Sequence, residues 1–233
     1  LVIGVVVTGT GWPISWEIYP GNTADPVAMK SMVKKLRERF RIGKVIVVAD
    51  RGMMSAEAVR FLEEDPQQPL EYILGCRMRK QKEVREEVLS RAGRYQGIAE
   101  NLDVKEVWQG QKRYIICRNP QESLKDAQAR ETILQRIQEK LADNGAKSLI
   151  GNKGYARYLK IARGSVTVNE QAVKDDALLD GKFVLATNTQ LPAEEVAKTY
   201  KSLWRVERTF REEKSTLEVR PIFHHRDDTS IGH

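Results

Sequence analysis

The sequence predicts an α/β fold carrying an inserted subdomain, on three observations. The β-branched run Val45-Ile46-Val47-Val48-Ala49 ends at Asp50-Arg51-Gly52 and has the texture of a strand buried on both faces. Over residues 77–180 that texture gives way to charged helical stretches mixed with short strands. It resumes with Phe183-Val184-Leu185-Ala186-Thr187, followed by a long helix opening at Pro192. Residues 1–76 and 181–233 are therefore read as two parts of one core, and residues 77–180 as an insertion between them.

The elements follow in order. Residues 1–7 and 12–19 flank Thr8-Gly9-Thr10-Gly11, with Ile14, Trp16 and Ile18 alternating, and predict a β-hairpin. Asp25 is a candidate N-cap with Pro26 at the first helical position, and Met29, Met32, Val33, Leu36 and Phe40 repeat at helical spacing up to Gly43. Ser55 is placed to cap a second helix running to about Glu64, and residues 72–76 read as a strand. Within the insertion, a hairpin over residues 104–117 turns at Gly110, and a helix spans about 124–141. The final helix runs from Pro192 to about Lys214.

A hydrophobic content of 41% supports a real core, and a net charge of +7 favours a polyanionic partner without identifying one. Cys76 and Cys117 each sit in an apolar run, as buried thiols of a reducing compartment do; they and the histidines build no metal cluster. The apolar run at residues 1–7 is too short to span a bilayer and lacks the charged flank of a signal peptide, which points to the cytoplasm. The chain opens without Met and breaks off at Ile231-Gly232-His233, so it is expected to be cut short at both ends.

Two carboxylates stand out. Asp50 lies at the carboxyl end of the most hydrophobic strand, where open α/β sheets place ligands and catalytic groups; the alternative is an Asp that caps the following loop. On the last helix Val196, Tyr200, Leu203, Glu207, Phe210 and Lys214 recur every three or four residues, which puts Glu207 on the apolar stripe. A buried carboxylate needs an ion, a base or a metal to meet, and the competing structural explanation is an ion pair with Arg211, four positions on.

The run Tyr200-Lys201-Ser202-Leu203-Trp204-Arg205-Val206-Glu207, with Lys214 seven positions later, resembles the Y-x2-R-x3-E-x6-K motif of DDE transposases from a large group of bacterial insertion sequences. Val47-Val48-Ala49-Asp50-Arg51-Gly52-Met53, the preceding Tyr19-Pro20-Gly21-Asn22-Thr23-Ala24-Asp25 and the later Arg220-Pro221-Ile222-Phe223-His224 resemble the same group. The resemblance implies an RNase H-like mixed sheet with a large insertion subdomain between the second Asp and the Glu. Asp50 then corresponds to the second metal-binding Asp and Glu207 to the metal-binding Glu, while Tyr200 and Lys214 correspond to contacts with the DNA backbone. Leu203 occupies the motif Arg position, and Arg205, about 200° further round the helix, is an imperfect substitute. The first Asp belongs to a strand upstream of residue 1.

The implied activity is transposon-end cleavage and strand transfer, in which two Mg²⁺ or Mn²⁺ ions about 3.5–4 Å apart are held by carboxylates. The implied partners are double-stranded DNA, as inverted-repeat ends and target, and a second copy of the intact protein; the location is the cytoplasm, at the nucleoid, with no membrane association. Without the upstream Asp the chain as it stands is expected to be inactive. A metal-dependent nuclease of the same fold and a non-catalytic DNA-binding remnant are the alternatives.

Basic residues have the separate task of holding the polyanion. Lys147, Lys153, Arg157, Lys160 and Arg163 occur between residues 144 and 169 with no acid and with Tyr155 and Tyr158 among them, a candidate DNA-facing set to which Arg205, Arg211 and Lys214 of the last helix are added. A solvated basic hairpin is the competing explanation. Arg77, Arg79, Lys80 and Lys82 are followed by Glu83, Glu86 and Glu87 and read as an ordinary charged helix. Trp108 is read as core in a small sheet in preference to an aromatic that holds a flipped base. His224 and His225 are read as loop residues, and Met53 and Met54 as core.

Overall fold

The structure, a computed structural model, describes residues 2–7, 13–40, 46–51, 56–63, 70–143, 149, 152–162, 165–203, 207–208 and 211. The chain divides into two compact units, Leu1–Cys76 with Leu185–His233, and Arg77–Val184. It is a mixed α/β protein whose strand pairs are mostly antiparallel.

In the first unit β1 (Val2–Val7) and β2 (Pro13–Tyr19) pair antiparallel, Val2 opposite Tyr19, with a register shift after Val6. The α1 helix (Asp25–Phe40) turns Ala28 and Val33 into the interior. Next come β3 (Ile46–Ala49), α2 (Ala56–Glu63) and β4 (Glu71–Gly75). The two strands run parallel, from Ile46 opposite Glu71 to Ala49 opposite Leu74, a direction that needs a crossover, and α2 lies in it. The end of the last strand, β10 (Lys182–Thr187), pairs antiparallel with β4, Leu185 opposite Gly75. Just beyond it the Asn188 side chain accepts from the Tyr72 N–H at 2.7 Å and donates to the Leu70 carbonyl at 3.0 Å, satisfying β4 backbone groups after β10 has ended.

Val33, Val47, Ala49, Leu62, Leu70, Tyr72 and Leu74 form the core of this unit. Over β3 and β4 packs the helix that follows β10, Ala193–Lys201, through Val196 and Ala197, both fully buried. The expectation that β3 is buried on both faces is corrected. Val47 and Ala49 are buried while Ile46 and Val48 are half-buried, because alternate residues point to opposite faces and the face of Val47 and Ala49 is the one turned to the core.

The second unit holds the meander β5 (Gln96–Ala99), β6 (Leu102–Gln109) and β7 (Lys112–Arg118), with the start of β10 beside β7. Gly110, φ +58°, makes the β6–β7 turn. The α3 helix (Pro120–Ala142) starts where the Asn119 side chain accepts the Glu122 N–H at 3.1 Å. The short α4 (Lys153–Ala156), the hairpin β8 (Leu159–Ala162) and β9 (Ser165–Val168), and α5 (Glu170–Ala177) complete it. Ile137, Leu149 and Tyr158, all fully buried, centre a core that Ile133, Tyr155, Val168 and Val173 surround. Cys76 and Cys117 are free and buried.

Three expectations for this unit change. The charged segment after Cys76 is helical over residues 82–88 alone, ending in a π-helical turn, Val84–Val88, whose two valines are its buried residues, while residues 78–80 form a turn; with so few apolar positions a longer helix has nothing to pack. Trp108 is 53% exposed, its indole N–H donating to Glu106 at 2.8 Å, because the hairpin near Gly110 is solvent-facing through residues 110–112. Tyr158 is buried and takes no part in an exposed stacking surface.

Gly181 separates two costs that glycine avoids. Its φ is +61°, and an added Cβ would lie 2.3 Å from the Asn119 carbonyl oxygen and 2.6 Å from the Ser123 nitrogen, whereas one at Gly110, at nearly the same φ, meets nothing within 4 Å. In chemical denaturation Gly110→Ala is expected to cost about 1–2 kcal/mol, the left-handed strain alone, and Gly181→Ala about 2–5 kcal/mol, strain plus overpacking. Equal losses at the two sites would refute the steric part of that account.

Candidate active site

Asp50 is the residue after β3, so the strand delivers its carboxylate to the carboxyl end of the parallel pair. The helix Ala193–Lys201, hereafter α6, brings Tyr200 to the same place. The Tyr200 hydroxyl donates to Asp50 Oδ1 at 2.8 Å, joining residues 150 apart in sequence. Gly75, the last residue of β4, lies alongside: a Cβ there would stand 2.5 Å from the Tyr200 hydroxyl oxygen and 3.1 Å from Arg51 Cγ. The Arg51 Nε is 3.8 Å from the same Asp50 oxygen.

Burial pushes the Asp50 carboxyl up, but the bonds from the Tyr200 hydroxyl and the Arg51 backbone, with the Arg51 charge, outweigh it and hold Asp50 below the usual carboxylate range. Asp50 is thus an anion at neutral pH with a 61% exposed side chain. Burial and the adjacent carboxylate hold the Tyr200 phenol well above its ordinary range, so it remains a proton donor. This pairing and the role of Gly75 were not read from the sequence. The available signal was a glycine closing an otherwise fully apolar strand end.

Along α6 and beyond it, Val196 is buried, Tyr200 and Leu203 half-buried, and Glu207 exposed in helical conformation. The expectation that Glu207 is buried on the apolar stripe is corrected: burial declines along the stripe away from β3 and β4. Arg211 is likewise helical and exposed, so a Glu207–Arg211 pair would be a surface one, worth about 0.3–0.5 kcal/mol. Among the described residues no three His, Cys, Asp or Glu side chains gather as a metal-binding group. Arg163, Arg205, Lys214, Lys147, Met53, Met54, His224 and His225 lie outside the described residues.

Of the basic set in the second unit, Lys153 opens α4, Lys160 is exposed on β8, and Arg157 is exposed after α4. Arg157 lies over the Tyr158 ring at 4.5 Å and 3.8 Å from Asp176. Asp176, on α5, also accepts the Tyr158 hydroxyl and pairs with Arg79 at 2.6 Å, a hub that the sequence reading missed. Burial raises the Asp176 pKa, but Tyr158 and Arg79 bring it below the ordinary range; burial and Asp176 push Tyr158 up to about 12. Arg79 and Arg157 are therefore committed in part to folding this unit. Among the described residues no helix is long and apolar enough to cross a membrane.

A family model described as the transposase DDE domain matches residues 2–228. No curated protein and no solved structure matches the chain.

The Asp176 hub has a pH signature. A carboxylate whose folded pKa is depressed contributes stability above its unfolded value, about 3.9, and loses it as the pH falls through the lower folded value. Asp176→Asn is expected to cost about 1–3 kcal/mol at pH 7, with the gap to the parent closing below about pH 4. Denaturation curves at several pH values would show this, and a gap independent of pH would contradict the charged role of Asp176.

Proposed function

We propose, from the premise that this chain belongs to the transposase DDE domain family, that it is a transposase catalytic core in which Asp50 and Glu207 are carboxylate ligands for Mg²⁺ or Mn²⁺. The observation that carries the reading is Asp50 itself: an ionised, exposed carboxylate at the carboxyl end of the parallel pair β3–β4, next to a helix of the Glu-bearing segment. The core is RNase H-like, and residues 77–180 are its insertion subdomain.

The donor set fits the implied ions, since carboxylate oxygens are what Mg²⁺ and Mn²⁺ prefer. When bound, such ions supply an activated water or 3′-OH on one side of a phosphorus and stabilise the leaving oxygen on the other. Asp50 enters that role deprotonated, held by Tyr200. Glu207, seven residues after Tyr200 and at helical spacing, offers a second carboxylate about two turns along.

The basic residues hold the substrate. Exposed Lys160, Arg157 and Arg211, with Lys153, Arg163, Arg205 and Lys214, contact the phosphates of double-stranded DNA, namely inverted-repeat ends and target. The protein works as a dimer on paired ends at the nucleoid. Cleavage without joining would favour a nuclease of the same fold, and metal-dependent cleavage absent altogether a DNA-binding remnant.

The protein is expected to bind DNA with an affinity that falls steeply as salt rises, and to cleave transposon ends only with Mg²⁺ or Mn²⁺. Cleavage that survives removal of divalent ions would contradict the metal reading of Asp50 and Glu207. Because Glu207 is exposed, Glu207→Gln should change stability by no more than about 0.5 kcal/mol while abolishing cleavage. Thermal melts beside cleavage assays test both halves, and retained cleavage would remove Glu207 from the active site.

A further inference from the structure

We infer that Tyr200 is a positioning residue for Asp50, and that Gly75 is glycine so that the Tyr200 hydroxyl reaches the carboxylate. The inference rests on the reading of Asp50 as a metal ligand and departs from the DNA-backbone contact that the sequence motif assigns to Tyr200. The hydroxyl has one proton, and it is donated to Asp50 Oδ1 at 2.8 Å. While that bond stands the hydroxyl has no proton left to donate to a phosphate.

The bond answers a need of the site. Asp50 is 61% exposed, and Arg51 Nε stands 3.8 Å from it, a distance that orients poorly. Bonds from the Tyr200 hydroxyl and the Arg51 backbone N–H take two of the carboxylate's roughly four lone-pair sites. Acceptor capacity remains for a cation, now with a preferred orientation. The tyrosine is itself well anchored: α6 packs on β3 and β4, and Val196 and Ala197, one turn earlier, are fully buried. A metal ligand oriented by a hydrogen-bond donor on a rigid element is the usual second partner of such sites, and its loss typically weakens metal binding 10–100-fold.

Gly75 is the steric counterpart. A Cβ at this position would lie 2.5 Å from the hydroxyl oxygen, closer than two such atoms can approach. A tyrosine ring has two torsions and is half-buried here, so relief would come by swinging the hydroxyl away from Asp50.

The test is Mn²⁺ binding to residues 1–233, followed by titration calorimetry or by the paramagnetic resonance of free Mn²⁺, with DNA affinity in metal-free buffer as the second readout. Tyr200→Phe is expected to weaken Mn²⁺ binding about tenfold or more and to leave DNA affinity and its salt dependence unchanged. Gly75→Ala should weaken Mn²⁺ binding similarly, with Tyr200→Phe adding no further loss in the Gly75→Ala background. If Tyr200→Phe instead lowers DNA affinity and leaves Mn²⁺ affinity intact while Asp50→Asn abolishes it, the inference is overturned and the metal reading of Asp50 stands. A parent that binds no Mn²⁺, or whose affinity Asp50→Asn leaves unchanged, overturns the metal reading and this inference with it.

Discussion

Parallel pairing of β3 with β4 is the constraint on which the candidate site depends. Because Ala49 stands opposite Leu74, the two strands end together, and Asp50 and Gly75 emerge side by side. A shift of one residue would turn Val47 and Ala49 out of the core and carry Asp50 to the other face. The packing of Val33, Leu62, Tyr72 and Leu74 around those two residues is what opposes such a shift. The same pair of strands supports α6, whose buried Val196 and Ala197 aim Tyr200 at the strand ends. One register thus sets three partners: a carboxylate, a donor and the gap between them.

In the second unit the organising groups are polar. Asp176 gathers Arg79, Arg157 and the Tyr158 hydroxyl, while Arg130 binds Asp180 through both guanidinium nitrogens, one at 2.6 Å, with both side chains nearly buried. Each is strong because its charge is met in a partly dry setting, and each would be costly to break from one side. Gly181 follows Asp180, in a turn where the Asn119 N–H donates to the Gly181 carbonyl at 2.8 Å. Elements distant in sequence are locked by these charges as well as by the apolar core around Ile137 and Tyr158.

That arrangement qualifies the meaning of a basic chain. A net charge of +7 suggests an affinity for polyanions, yet several cations already have partners within the protein: Arg79 with Asp176, Arg113 with Glu106, Arg118 with Asp103, Arg130 with Asp180. Exposed Lys160 is better placed to meet a phosphate than Arg157, which divides its charge between a ring and a carboxylate. Counting cations along the chain overstates the surface available to DNA.

The sequence by itself determined the local elements, since periodicity and punctuation are local properties. The β-branched run ending at Asp50, the turn at Gly110 and the helix opening after Pro192 were all legible. So was the family, through its resemblance to DDE transposases, and the match over residues 2–228 bears out the family. The tertiary structure alone decided what each side chain meets. Glu207 sits at the apolar spacing yet is exposed, because burial falls along that spacing from buried Val196 through half-buried Tyr200 and Leu203. Trp108 and Tyr158 exchanged their expected places, one on a solvent-facing hairpin and the other at the centre of a core, because aromatic character says nothing about which neighbours arrive from elsewhere in the chain. The bond between Tyr200 and Asp50 spans 150 residues, and no spacing rule encodes a contact created only when β3, β4 and α6 pack together.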